Sequence, residues 1–112
     1  MTQFEGREKA YENEFARNEE FDFKVNVRRN KLLGLWAASQ MGLAGEAAEE
    51  YYKEVIKADF EEAGDEDVYR KLKGDLDAKG VEISEHQVRR EMEDQLEVAR
   101  SQMTEELKNL KK

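Results

Sequence analysis

Cysteine and proline are both absent from this chain of 112 residues, and histidine occurs once. Without a thiol there is no disulfide, no thiolate nucleophile and no sulfur ligand, so the chain is compatible with a reducing cytoplasm. Without proline, no residue breaks a helix from within by lacking a backbone donor. One histidine, His86, cannot assemble a metal site with no cysteine and no second imidazole. Ser39, Ser84 and Ser101 have no nucleophile-elbow context. No catalytic, cofactor-binding or metal-binding residue is therefore assigned, and the chain is not expected to be an enzyme.

Long apolar runs are missing as well. The longest uncharged stretch, residues 32–45, is interrupted by Gly34, Gln40 and Gly42 and is too short to span a bilayer. The N-terminus has no basic region followed by an apolar one, so a soluble, unprocessed protein with no direct membrane insertion is expected. Basic residues are outnumbered, 19 Lys and Arg against 27 Asp and Glu, for a net charge of −8. Phosphate binding needs clustered cations that release counterions, which argues against nucleic acid as a partner. The one basic cluster, Arg28, Arg29 and Lys31, reads as a solvated helix face. A basic or mixed-charge protein surface suits such a chain better.

What is present is charge, at 41% of residues, and enough apolar residues, at 38%, for helices with thin buried faces. Gly42, Gly45, Gly64 and Gly80 punctuate the chain at helix ends, and the four helices they delimit are expected over residues 19–41, 46–63, 66–79 and 85–110. Phe21, Val25, Leu32, Leu35 and Trp36 form the inner stripe of the first. Ala48, Tyr52, Val55 and Ile56, widened by Tyr51 and Phe60, form that of the second. Val68, Leu72 and Leu76 serve the third, capped by Asp65. Ser84 and Gln87 stand in capping-box spacing before the fourth, whose Val88, Met92, Leu96, Ala99, Met103, Leu107 and Leu110 lie on one line. Short connections favour antiparallel neighbours, so the fold class is all-α, a four-helix bundle.

Residues 59–67 hold six carboxylates. Aligned as a calcium loop from Asp59, they place Gly64 correctly but put Ala63 at the fifth position and Arg70 where a bidentate Glu is needed. A glycine-terminated helix followed by an Asp-capped one accounts for them without a metal. The run Gly42-Leu43-Ala44-Gly45 lacks the spacing and the Lys-Ser/Thr pair of a phosphate loop.

The first fifteen or so residues are almost entirely charged apart from Phe4, Tyr11 and Phe15. On a helix at about 100° per residue these three fall within about 40° of one another. In an unbroken helix the stripe of Phe21, Val25, Leu32, Leu35 and Trp36 points about 100° away. The two stripes are thus expected not to share one core, which leaves the first for a partner or unfolded. Residues 1–18 are read as an N-terminal segment, disordered or transiently helical, and residues 19–112 as the bundle.

Three blocks in order, Phe4-Glu5-Gly6-Arg7-Glu8-Lys9-Ala10-Tyr11-Glu12, Arg28-Arg29-Asn30-Lys31-Leu32-Leu33-Gly34-Leu35-Trp36-Ala37-Ala38 and Asp59-Phe60-Glu61-Glu62-Ala63-Gly64-Asp65-Glu66-Asp67-Val68, resemble the zeta subunit family, bacterial inhibitors of F-type ATP synthase. The resemblance implies a non-catalytic regulator at the cytoplasmic face of the membrane-bound synthase, with the catalytic head as partner. It also implies that the N-terminal segment is mobile, and becomes helical as it wedges into a catalytic interface and blocks rotation in the hydrolytic direction. Carried over by position, Phe4, Tyr11 and Phe15 would be apolar anchors and Arg7, Glu8, Lys9 and Glu12 charged contacts. The chain departs from the pattern at Glu14, where a basic residue is expected, and at Asn18, where an acidic one is.

Two other readings stand beside this one. A general helical interaction module would dock the Phe4, Tyr11 and Phe15 face into another protein's groove. A weak nucleotide-binding bundle would use Arg28, Arg29 and Lys31 or the acidic turn near Gly64.

Overall fold

The computed structural model describes the backbone of residues 2–60 and 64–110 and the side chains of residues 19–60 and 64–109. Four helices make up this part of the chain: α1 (Thr2–Gln40), α2 (Gly45–Ala58), α3 (Glu66–Ala78) and α4 (Glu85–Leu110). No strand occurs among the described residues. The bundle is the one the apolar spacing predicts. α1 packs along α2 and α4, and the short α3 closes the remaining side.

Two helix ends show why the chain turns where it does. At the end of α1, Gly42 N–H donates to the Ser39 carbonyl at 3.1 Å and Leu43 N–H to the Ala38 carbonyl at 2.8 Å. α3 ends the same way, with Gly80 bonded to Asp77 at 3.0 Å and Val81 to Leu76 at 2.9 Å. Both are Schellman closures, which need a left-handed residue at the glycine position, and Gly42 and Gly80 have φ of 77° and 76°. Leu43 and Val81, next in sequence, then fold back against the core. α4 starts with the predicted capping box: Gln87 N–H donates to Ser84 Oγ at 3.1 Å and Ser84 N–H to Gln87 Oε1 at 2.9 Å.

The core joins Leu33, Ala37 and Ala38 of α1 to Ala48, Tyr51 and Val55 of α2, Val68, Leu72 and Leu76 of α3, and Val88 and Met92 of α4. Burying a Leu or Val side chain of this kind stabilises by about 1.5–3 kcal/mol. Small residues on α1 let α2 approach closely. A Cβ at Gly34 would lie 2.4 Å from both Cα and Cβ of Tyr52. α3 and α4 are tied by Arg89, which lies 4.0 Å from the Tyr69 ring centroid and bridges Glu66 at 3.1 Å.

α1 begins at Thr2 rather than at residue 19, and three further details differ from the sequence reading. The buried face of α1 is Val25, Arg29, Leu33 and Ala37, with Asn30 and Ala38 beside it, while Leu35 is 38% exposed and Phe21, Leu32 and Trp36 are only half-buried. The expected stripe passes through Leu32, Leu35 and Trp36 and omits Leu33, which is fully buried. The packed one instead runs through the small residues that allow close contact, and through a buried arginine. Second, α2 ends at Ala58, not in the low sixties. Its last turn tightens, with Phe60 N–H bonded to the Lys57 carbonyl, and this swings Phe60 out to 63% exposure. Residues 61–63 lie outside the described residues. Third, Asp65 occupies the N-cap position of α3 but makes no side-chain cap, because its carboxylate is engaged elsewhere.

Candidate functional site

The engagement of Asp65 is part of a polar cluster built around a buried arginine. Arg29 is 3% exposed. Its guanidinium donates twice to Asn30 Oδ1, at 3.0 and 3.1 Å, pairs with Asp65 Oδ1 at 3.0 Å and lies 4.0 Å from Asp59 Oδ2. Asn30 Nδ2 completes the group by donating to Asp59 Oδ2 at 2.9 Å. A buried guanidinium needs a charge partner and acceptors for its donors, and the α2–α3 turn brings both acidic side chains to it. The clasp fixes that turn to the middle of α1.

The basic cluster is therefore not the solvated face expected from sequence. Arg29 is interior, and Arg28 reaches α4, donating to Gln102 Oε1 at 2.8 Å and pairing with Glu106 at 2.9 Å. Lys31 alone stays exposed, its Nζ 5.4 Å from the Tyr52 ring centroid. The two arginines are spent on the fold, in different directions, and do not converge on a ligand. The acidic turn has a matching explanation, since Asp59 and Asp65 serve Arg29. Among the described residues no group of three His, Cys, Asp or Glu side chains is placed to hold a metal.

A shallow polar cleft of about 460 Å³ lies between α2 and α3, lined by Glu54, Lys57, Ala58, Asp67, Arg70 and Lys71. Much of its lining is committed to ion pairs: Asp67 with Arg70, and Lys71 with Asp75 at 3.0 Å and Glu54 at 3.8 Å. Tyr51 joins this network by donating to Asp75 Oδ2 at 2.8 Å. Burial first, and then that hydrogen bond, push the Tyr51 phenol far above the ordinary tyrosine value. His86 is exposed in the first turn of α4. No nucleophile, base and orienting group come together among the described residues.

One exposed feature does stand out. Phe23 of α1 and Phe60 after α2 are 55% and 63% exposed, and their rings pack tilted at 41° with centroids 6.0 Å apart. The sequence reading gave Phe60 to the α2 core face and did not use Phe23. The clasp residues Asn30, Asp59 and Asp65 were likewise not singled out as a unit. A signal was present: Arg29 sits one helical turn from both Val25 and Leu33, so that a core through those two carries Arg29 inside. The segment residues Phe4, Arg7, Glu8, Lys9, Tyr11, Glu12 and Phe15 belong to α1, and their side chains lie outside the described residues.

Among the described residues no helix is long and apolar enough to cross a membrane. A search of curated proteins gives no match. Among solved structures, a protein known from a solution NMR structure is 51% identical, with a TM-score of 0.67 and an alignment covering 75% of this chain and 95% of that one. The family model described as ATPase inhibitor subunit zeta matches residues 1–102, which takes in the N-terminal segment and all the helices but the end of α4. Sequence pattern, helix order and this match agree, and the chain belongs to the ATPase inhibitor subunit zeta family.

Proposed function

We propose that this protein is a non-catalytic inhibitor of ATP hydrolysis by the head of a bacterial F-type ATP synthase, and that residues 1–18 are its working element. In this reading the segment wedges into a catalytic interface of the head, with Phe4, Tyr11 and Phe15 as apolar anchors and Arg7, Glu8, Lys9 and Glu12 as polar contacts. The bundle acts as a stop outside the interface, at the cytoplasmic face of the membrane-bound enzyme. No cofactor is required.

The observation that carries this is the unbroken run of α1 from Thr2 to Gln40. α4 lies antiparallel to α1 with Gln102 and Glu106 opposite Arg28, so its last described turn reaches only the region of residue 22. Among the described residues, the turns of α1 before that have no part of α4 beside them. At about 100° per residue, positions 4, 11 and 15 also fall on the line of the observed buried face, Val25, Arg29, Leu33 and Ala37. This replaces the expected 100° divergence: the N-terminal stripe is left for a partner because the bundle ends, not because the helix turns it away. An apolar line that continues past its own core suits insertion into another protein.

The test is ATP hydrolysis by a synthase head from the same source, depleted of this subunit. Full-length protein should inhibit, and a version lacking residues 1–18 should stay folded and not inhibit. Equal inhibition by both would refute the wedge.

A further inference from the structure

We propose that the exposed aromatic pair Phe23–Phe60 is a second docking point, which binds an apolar patch on the rim of the same interface that receives residues 1–18. The inference rests on the wedge reading and adds to it a contact made by the bundle itself.

Three observations converge on it. First, the pair is built rather than incidental. Phe60 directly follows Asp59, which Asn30 and Arg29 hold to α1, and Phe23 lies two turns before Asn30 on the same side of that helix. The clasp thus sets one ring against the other across two elements. Second, the fold does not need it: both rings are more than half exposed, and neither belongs to the buried core. Exposed aromatics placed together are the residue type that anchors interfaces.

Third, the location names the occupant. Phe23 is five residues beyond Asn18 on the same helix, about 8 Å at the α-helical rise. With residues 1–18 inside a cleft, the pair lies at its mouth, facing whatever rims the entrance. Exposed Glu19, Glu20, Asp22 and Lys24 surround Phe23, and with Lys24 paired to Glu20 at 3.4 Å the balance is acidic, so the complementary surface is apolar with basic residues at its edge. Two contacts a few residues apart on one chain reinforce each other, since binding of the wedge presents the pair to the rim at high effective concentration. The stop is then also a latch, which slows withdrawal of the wedge.

The test measures dissociation constants and residence times of full-length variants on the depleted synthase head, with circular dichroism as the check on folding. Phe60→Ser, outside any helix and largely exposed, should fold like the wild type. It should bind about ten-fold more weakly, mainly through faster release, the loss expected of one aromatic anchor. Phe60→Tyr keeps the ring and should stay close to wild type. Val98→Ser removes a comparably exposed apolar side chain elsewhere and should change nothing. If wild type binds and Phe60→Ser binds equally well, the second docking point is wrong while the wedge stands. A Val98→Ser loss as large as that of Phe60→Ser also overturns it. Failure of the wild type to bind removes the wedge reading and this inference together.

Discussion

Gly34 of α1 and Tyr52 of α2 are in such close register that a methyl group on Gly34 would meet the Tyr52 Cα at 2.4 Å. The neighbour in question is backbone, which cannot rotate aside. The two helices are therefore spaced by the absence of a side chain, and that spacing lets Ala37, Ala38 and Ala48 reach the core.

Gly34→Ala should consequently destabilise the bundle, even though alanine is favoured over glycine in a helix by about 1 kcal/mol. Overpacking against a fixed backbone costs about 1–3 kcal/mol or more, and moving α2 away would also loosen Tyr51 and Val55. The thermal midpoint should fall by about 5 °C or more. A raised midpoint would mean that the helices part freely and that the close approach carries no energy.

Arg29→Met should be the more damaging of two changes at the clasp. It leaves Asp59 and Asp65 without their cation and Asn30 Oδ1 without its donors. Removing one member of a fully buried pair costs about 3–5 kcal/mol; with Asp65 58% exposed to water, about 2 kcal/mol is expected here. Asp65→Asn should cost less than half of that, since Asp59 remains nearby. Chemical denaturation of both variants checks the order, and an Asp65→Asn loss equal to that of Arg29→Met would place the weight of the cluster on the exposed pair.

Ser84→Ala should cost about 1 kcal/mol, because Gln87 N–H loses its acceptor at the start of α4. Amide exchange should quicken in the first turn of that helix and stay unchanged near Ala99, which packs independently of the cap. Uniform quickening along α4 would show that the helix opens as one unit.

The capping box, the Schellman glycines and the order of helices were legible in the sequence because each is a local pattern with one dominant solution. Ser84 and Gln87, three residues apart, can hardly do anything else before an apolar line. The packed face of α1 was not legible, because apolar size is the usual guide to burial and here Gly34, Ala37 and Ala38 lie inside while Leu35 does not. Arg29 escaped for a related reason. Its partners, Asp59 and Asp65, come from a turn that only the assembled bundle brings to it, and no spacing along the chain encodes that meeting. Phe23 and Phe60 met in the same long-range way.

Tyr51 should make stability depend on alkaline pH. Its phenol is buried and donates to Asp75, and ionising it would place two anions side by side, so its folded value lies above the ordinary 10.0. A group harder to ionise in the folded state leaves stability unaffected below the unfolded value. It withdraws stability as pH climbs past that value, by at most about 1.4 kcal/mol per pH unit for one proton. The wild type should thus hold a steady urea midpoint as pH approaches 10 and lose it above. Tyr51→Phe removes both the hydrogen bond and the titrating group. At pH 7 it should be about 1 kcal/mol less stable, a modest loss because Lys71 still pairs with Asp75 at 3.0 Å. Above pH 10 it should decline less steeply than the wild type, so that the two curves converge. Parallel curves would assign the alkaline slope to the surface lysines and remove Tyr51 from it.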